Sequence, residues 1–355
     1  MSNHPNLRAD LALRDGYHSP QVDVSVRLNT NESPYAPPAG FTEALARSIG
    51  DLGLNRYPDR QAVLLRSAIA TLDGVQPDQV VCANGSNEVL QATLLAFAGP
   101  SATVVVAEPT YALHSHIASL LGCTIVHLQR RSDFTIDVDA MIEAVNGSNA
   151  SLAFVCSPNN PTGTLEPLES IQRLATETNA MIVVDEAYGQ FAPRSVLDLD
   201  PGILERVIVV RTFSKTWALA GVRLGYAISS PSVIAGISQG LLPYHLSSLT
   251  QAAGLAALET AAAMERRIDA IVEGRGEIAA GLERLQVEQW PSAANFILFR
   301  PIERSADEVW QRLVDRGVLV RNCAGWPGLE NCLRVTIGTP EENAKFLDEL
   351  GAALT

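Results

Sequence analysis

The chain has 355 residues, long enough for two domains, and its 47% hydrophobic and 18% charged content is that of an ordered globular protein rather than a disordered one. A formal net charge of −13 and a pI near 4.9 exclude a partner such as nucleic acid that is held by a broad basic field, so an anionic ligand has to be gripped by individual arginines. Five cysteines (Cys82, Cys123, Cys156, Cys323, Cys332) form no CxxC pair and no zinc spacing and are expected as buried thiols of a reducing compartment. The N-terminal residues have no apolar leader core and no stretch has membrane-spanning length, so a cytoplasmic location is expected.

In chain order, residues 1–39 are rich in Pro and Asn through LNTNESPYAPP and show little periodicity; they are expected to pack on a second domain. Seven short apolar runs follow: QVVCA (79–83), TVVVAEP (103–109), TIVHL (124–128), SLAFVCSP (151–158), MIVVDEAY (181–188), VIVVRTF (207–213) and GYAISS (225–230). Near-continuous apolar runs separated by helical segments predict a mostly parallel seven-stranded sheet covered on both faces, a large α/β domain over residues 40–235. The Ala/Leu/Glu-rich stretch 236–285 predicts a long connecting helix and its continuation. ANFILFR, GVLVRN and CLRVTIG predict the strands of a smaller α+β domain built from residues 1–39 and 236–355 and closed by the amphipathic PEENAKFLDELGAAL.

Open α/β sheets bind ligands beyond the carboxyl ends of their strands, and the unusual residues collect there. NGSNE (84–88) follows one predicted strand, Tyr111 the next and NNPTG (159–163) a third; Asp185 and Tyr188 end a fourth, and Ser214-Lys215 follow a fifth. Taken singly, each has an ordinary reading. NGSNE is an acceptable turn and helix cap, although a helix start also binds phosphate through its unpaired N–H groups; NNPTG is a good turn; Asp185 is a suitable cap for the next element. Lysine is nearly absent, with only Lys215 and Lys345 in the chain. Lys345 sits among acids on the terminal amphipathic segment, whereas Lys215 lies between a buried strand and a Gly-rich turn, where Arg223 would help depress its pKa. A lysine nucleophile, a strand-end carboxylate, a tyrosine, an asparagine, a helix start and an arginine together match the needs of pyridoxal 5'-phosphate, which requires a Schiff-base lysine and an acidic partner for its pyridine nitrogen.

On LNTNESP, NRYPD, NGSNEVLQ, CSPNNPTGT, VVDEAY, RTFSKTWALAGVRLGY, LPYHLSSLTQAA and LRVTIGTPEEN the chain resembles the fold-type I pyridoxal-phosphate aminotransferases over essentially its whole length, and among them it is most similar to the actinobacterial histidinol-phosphate aminotransferases. The resemblance implies that Lys215 binds the cofactor and moves the proton, that Asp185 pairs with the pyridine nitrogen, that Tyr188 and Asn160 meet the ring oxygen, and that Tyr111 stacks on the ring. It further implies that the cofactor phosphate is held by the backbone of Ser86 and Asn87, by Ser214 and Arg223, and by Tyr57 of a second subunit, hence a homodimer with shared sites. For the substrate it implies Arg334 on the α-carboxylate, Arg321 on a phosphate, and Tyr17, Asn87 and Tyr244 around an imidazole.

The implied reaction is transamination of L-histidinol phosphate with 2-oxoglutarate in histidine biosynthesis. Aromatic amino-acid transamination and threonine-phosphate decarboxylation are the alternatives on the same scaffold. The segment CAGWPGLENC (323–332) departs from the family pattern next to the expected substrate residues and places side-chain specificity in question. His114 and His116, two residues apart, cannot share a helix face as metal ligands, and His245 reads as structural. A regulator fused to a DNA-binding module is disfavoured by the acidity of the chain.

Overall fold

The computed structural model of the protein describes residues 22–355; Tyr17 lies outside them. Twelve strands are β1 (Val26–Leu28), β2 (Val80–Ala83), β3 (Thr103–Glu108), β4 (Thr124–Gln129), β5 (Leu152–Cys156), β6 (Met181–Asp185), β7 (Val207–Thr212), β8 (Gly225–Ile228), β9 (Glu288–Gln289), β10 (Phe296–Arg300), β11 (Val318–Asn322) and β12 (Leu333–Thr336). The seven apolar runs form one sheet in the order β2-β8-β7-β6-β5-β3-β4. Its pairs are parallel except at β8, which runs antiparallel to both neighbours.

Every residue of β5 and β7 is buried, which explains why these strands read as near-continuous apolar runs: helices cover both faces and leave no solvent side to be polar. Two apolar clusters record the two faces, one around Val105, Val155, Val184 and Val209 and the other around Val104, Phe154, Val183 and Val210. The adjacent numbering is the period-2 alternation of a strand.

The second sheet is β1-β11-β12-β10-β9. β1 comes from the N-terminal arm, where sequence periodicity predicted nothing; three residues are too few to show a period, and the open edge of β11 selects them by parallel pairing, Val26 opposite Val318. A separate cluster of Phe296, Phe299, Leu313, Val335, Phe346 and Leu350 packs this sheet against its helices. The stretch 236–285 differs from the single continued helix expected. It holds the end of the Pro231–Gln239 helix, then Ser248–Leu258 and Ala261–Arg284, separated by a loop at 240–247 and a break at 259–260. Ala253, Ala256, Ala257 and Met264 join the core of the larger sheet. Among the described residues no helix is long and apolar enough to cross a membrane.

Close backbone approach decides one residue. A Cβ on Gly225, at the start of β8, would stand 2.3 Å from Ser86 N and 2.5 Å from Gly85 C, so the sheet can meet the start of the Ser86–Phe97 helix only if this position carries no side chain. Gly225→Ala is expected to lower stability by about 1–3 kcal/mol, the usual range for overpacking, read as a lower denaturant midpoint at unchanged m-value.

Candidate active site

A cavity of about 320 Å³ opens at the carboxyl ends of β5, β6 and β7 and is closed on its other side by the arm residues Asn29–Glu32 and by Arg334 of β12. It brings together Ser86, Asn87, Tyr111, Asn160, Asp185, Tyr188, Ser214, Lys215, Arg223 and Arg334, ten of the residues singled out from sequence, drawn from both sheets.

Lys215 lies three residues beyond the end of β7, and its Nζ donates to Thr30 O at 3.0 Å while standing 5.9 Å from the Tyr188 ring centre. Burial lowers its pKa to about 8; the positive field of Arg334 is the next cause, Arg223 adds a smaller contribution, and Glu32 opposes. Arg223 thus helps to depress the amine, as expected, but burial and Arg334 weigh more. Lys345 donates to Ser25 Oγ at 2.8 Å and does not line the cavity.

Asp185, at the last position of β6, has both carboxylate oxygens engaged. Ala187 N–H donates to Oδ1 at 3.0 Å, and His114 Nε2 meets Oδ2 at 3.0 Å. His114 is fully buried, stacks on Phe154 with ring centres 4.7 Å apart, and its Nδ1 has no partner. With the Asp185 carboxylate oxygen as acceptor, the imidazole donates through Nε2–H. The metal-pair reading of His114 and His116 does not reach this contact; the signal present in the sequence was the position of His114 three residues after Tyr111, at the start of the Leu113–Leu120 helix. Among the described residues no group of His, Cys, Asp and Glu is placed to hold a metal.

The arm sets the polarity of the opposite wall. Asn31 N–H donates to Thr336 Oγ1 at 3.0 Å, and that hydroxyl donates to Asn31 Oδ1 at 3.1 Å, which leaves Asn31 Nδ2 to donate to the Tyr188 hydroxyl oxygen at 2.9 Å. The Tyr188 proton is then free to point into the cavity, and burial keeps the phenol well above its ordinary pKa. Arg334 Nη1 donates to Asn160 Oδ1 at 2.5 Å, so the Asn160 amide presents its N–H₂ group. Arg334 also donates to Asn29 O at 2.8 Å, lies over the Phe296 ring, and keeps a buried Nε without a partner. Asn29, Thr30 and Asn31 were quoted in the resemblance but assigned no role.

At the other end, the Ser86–Phe97 helix begins after Gly85, whose φ is 81°, and its first N–H groups have no intrahelical acceptor. Arg223, itself at φ 58°, donates to Ser214 Oγ at 3.3 Å. Its guanidinium lies so close to Gly85 that a Cβ there would stand 2.5 Å from Nη2. Helix start, hydroxyl and guanidinium converge as an anion cradle. Tyr111 Oη donates to Asn87 Oδ1 at 3.1 Å, which fixes the ring at the cavity wall.

Three expected residues do not line this cavity. Tyr57, 80% exposed, stacks on Tyr244 with ring centres 4.4 Å apart, so the two lie together outside this cavity. Arg321 is buried, lies opposite Arg334 in the β11–β12 ladder, and rests on the Trp326 ring at 5.3 Å. The 323–332 loop is a small apolar cluster of Cys323, Leu329 and Cys332 with Phe134, Leu298, Trp290 and Trp326, and it buttresses Arg321. His245 is held between Leu242 O and Cys82 O.

Residues 24–350 match the family model for aminotransferase class I and II. The chain belongs to the class I and II aminotransferases. Similar proteins include the histidinol-phosphate aminotransferase of Thermobifida fusca (strain YX), 42% identical over 97% of this chain and 94% of that protein, and that of Mycobacterium sp. (strain KMS), 42% identical over 96% and 92%. A solved structure, histidinol-phosphate aminotransferase from Sinorhizobium meliloti in complex with pyridoxal-5'-phosphate, superposes with a TM-score of 0.85 at 26% identity over 93% of this chain and 91% of that chain. Class I and II aminotransferases are pyridoxal-phosphate enzymes. The residues of this aminotransferase fit that group: a largely deprotonatable amine, a carboxylate held at the cavity wall, and an anion cradle of the kind a phosphate occupies.

Two outcomes follow from this geometry. His114→Phe keeps a ring against Phe154 but removes the donor to Asp185; a hydrogen bond to a charged group contributes about 1.5–3 kcal/mol, so cofactor affinity should fall roughly 10- to 100-fold in an absorbance titration. A free amine with a pKa of about 8 reacts only when neutral, so the rate of cofactor capture by the cofactor-free protein should climb as pH rises toward 8 and level off above it, rather than continuing to climb toward 10.5.

Proposed function

We propose that this aminotransferase interconverts L-histidinol phosphate and 2-oxoglutarate with imidazole-acetol phosphate and L-glutamate, as a homodimer with shared sites. Residues 40–235 form its cofactor-binding part, and residues 1–39 with 236–355 form the part that carries the substrate arginines. The observation that carries the reading is Lys215: a buried amine brought within the field of Arg334 and lining the same cavity as the anion cradle. The names of relatives that align over nearly the full chain support the donor.

Pyridoxal phosphate, when bound, supplies an electron sink for the pair left behind when the substrate Cα loses its proton. Asp185, oriented by His114 and Ala187, accepts from the pyridine N–H. Tyr188 and Asn160 each have their acceptor end occupied by Asn31 and Arg334, so both present donors to the ring oxygen. Tyr111 covers the ring. The backbone of Ser86 and Asn87, with Ser214 and Arg223, holds the phosphate.

Lys215 Nζ would take the proton from the substrate Cα and return it two bonds away, on the far side of the amino nitrogen, work suited to an amine with a pKa near the working pH. Arg334 offers its unpartnered Nε and remaining N–H groups to the α-carboxylate of glutamate and 2-oxoglutarate, a planar fork on a planar anion. Arg321, held by Trp326, is assigned to the phosphate of L-histidinol phosphate, which stands where an amino acid has its carboxylate, with Asn87 and Tyr17 assigned to the imidazole. Tyr57 and Tyr244, stacked and largely outside their own cavity, act together in the cavity of the second subunit, Tyr57 on the cofactor phosphate and Tyr244 near the substrate.

The test follows the visible absorbance of the cofactor-loaded protein as L-histidinol phosphate, L-phenylalanine or O-phospho-L-threonine is added without an oxo acid. Rapid conversion to the amine form by histidinol phosphate, reversed by 2-oxoglutarate, is expected. An equal or faster response to phenylalanine overturns the donor assignment in favour of an aromatic one. Lys215→Ala should lose at least ~10³-fold in turnover, within the usual reach of general acid–base catalysis, and full activity in that variant would sink the mechanism.

A further inference from the structure

A second hollow of about 280 Å³ adjoins the main cavity and shares Glu32, Ser214 and Ala220 with it. Its remaining walls are the arm residues Ser33–Pro37 and the turn residues Ala218 and Gly221, so Glu32 is the one charged side chain in its lining among the described residues. The other charged groups of the main cavity are already engaged: Asp185 by His114 and Ala187, Lys215 by Thr30 O, Arg223 by Ser214, and Arg334 by Asn160 and Asn29 O. Among the described residues the Glu32 carboxylate makes no hydrogen bond or ion pair, and it faces Lys215 only through its field. An acceptor-only group left at the junction of two hollows is suited to an N–H donor that arrives with a ligand.

We propose that Glu32 determines donor specificity: a substrate side chain bearing a ring N–H passes from the main cavity toward the adjoining hollow, and the Glu32 carboxylate accepts that N–H. The inference rests on the imidazole-bearing donor proposed above and deepens it. Glu32 is exposed, so an aromatic donor of similar size without a ring N–H leaves its carboxylate to water and forgoes the hydrogen bond that the imidazole makes. 2-Oxoglutarate carries no N–H, so the second half-reaction does not use Glu32. The negative charge also disfavours a phosphate at this wall.

The experiment measures single-turnover half-reactions of the cofactor-loaded full chain for wild type, Glu32→Ala and Glu32→Gln. The readouts are kcat/KM for L-histidinol phosphate, for L-phenylalanine and, from the amine form, for 2-oxoglutarate. The histidinol phosphate to phenylalanine ratio is expected to fall roughly tenfold or more in Glu32→Ala, the loss of one hydrogen bond to a charged group. It should fall less in Glu32→Gln, whose amide oxygen still accepts, and the 2-oxoglutarate step should follow wild type. An unchanged ratio overturns the proposal. Equal losses in all three reactions overturn it as well, because they place Glu32 on Lys215 rather than on the donor. Wild type that does not turn over histidinol phosphate at all removes the donor assignment itself, an outcome visible without any variant.

Discussion

Keeping the Lys215 amine out of water requires that something else satisfy it, and the polypeptide meets that requirement with the carbonyl of Thr30 from a segment 185 residues away. The same three-residue run serves the rest of the cavity: Asn29 O receives Arg334, and Asn31 orients Tyr188. Arg334 in turn lies close enough to help depress Lys215. One extended arm thus links the nucleophile, the anion-binding guanidinium and the phenol, and displacing it would leave a buried amine and a buried guanidinium short of acceptors at once.

The larger sheet supplies the opposite wall by simple geometry. Parallel strands deliver their last residues to one edge, so Cys156, Asp185 and Thr212 arrive there together, and the turns that follow carry Asn160, Tyr188, Ser214 and Lys215. Beneath that edge a second polar group is fully internal. Arg211 bridges Asp73 at 2.5 Å and Glu186 at 2.7 Å, and Tyr226 donates to Asp73 at 2.8 Å. Each member leaves an uncompensated buried charge or hydroxyl if it is removed, so the value of the network lies in pinning β7, β8 and the residue after Asp185 in one arrangement rather than in net stabilisation.

The smaller sheet contributes less of the chemistry and more of the discrimination. Its β11–β12 ladder places Arg321 opposite Arg334, two like charges that would repel were they not held apart by different supports: Trp326 under one and Phe296 under the other. The unusual 323–332 segment is the apolar cluster that supplies the first of those supports.

Sequence alone determined the elements whose signal is local. Strand runs buried on both faces have to be apolar throughout, a lysine in a chain with only two of them is conspicuous, and strand-end polar residues collect on one edge once the strands are parallel. Asp185, Lys215, Asn160 and Arg223 were legible for those reasons. What sequence could not yield depends on contacts between distant segments. β1 is three residues long and exists because β11 offers it an edge; His114 matters because the Leu113–Leu120 helix that follows β3 meets the end of β6, two strands away; Asn31 matters because the arm crosses the cavity. The Tyr57–Tyr244 stack, and the fact that Arg334 rather than Arg223 is the stronger influence on Lys215, likewise follow from packing. Periodicity reports which face of an element is buried, whereas only tertiary structure decides what it is buried against, and polar recognition depends on that second quantity.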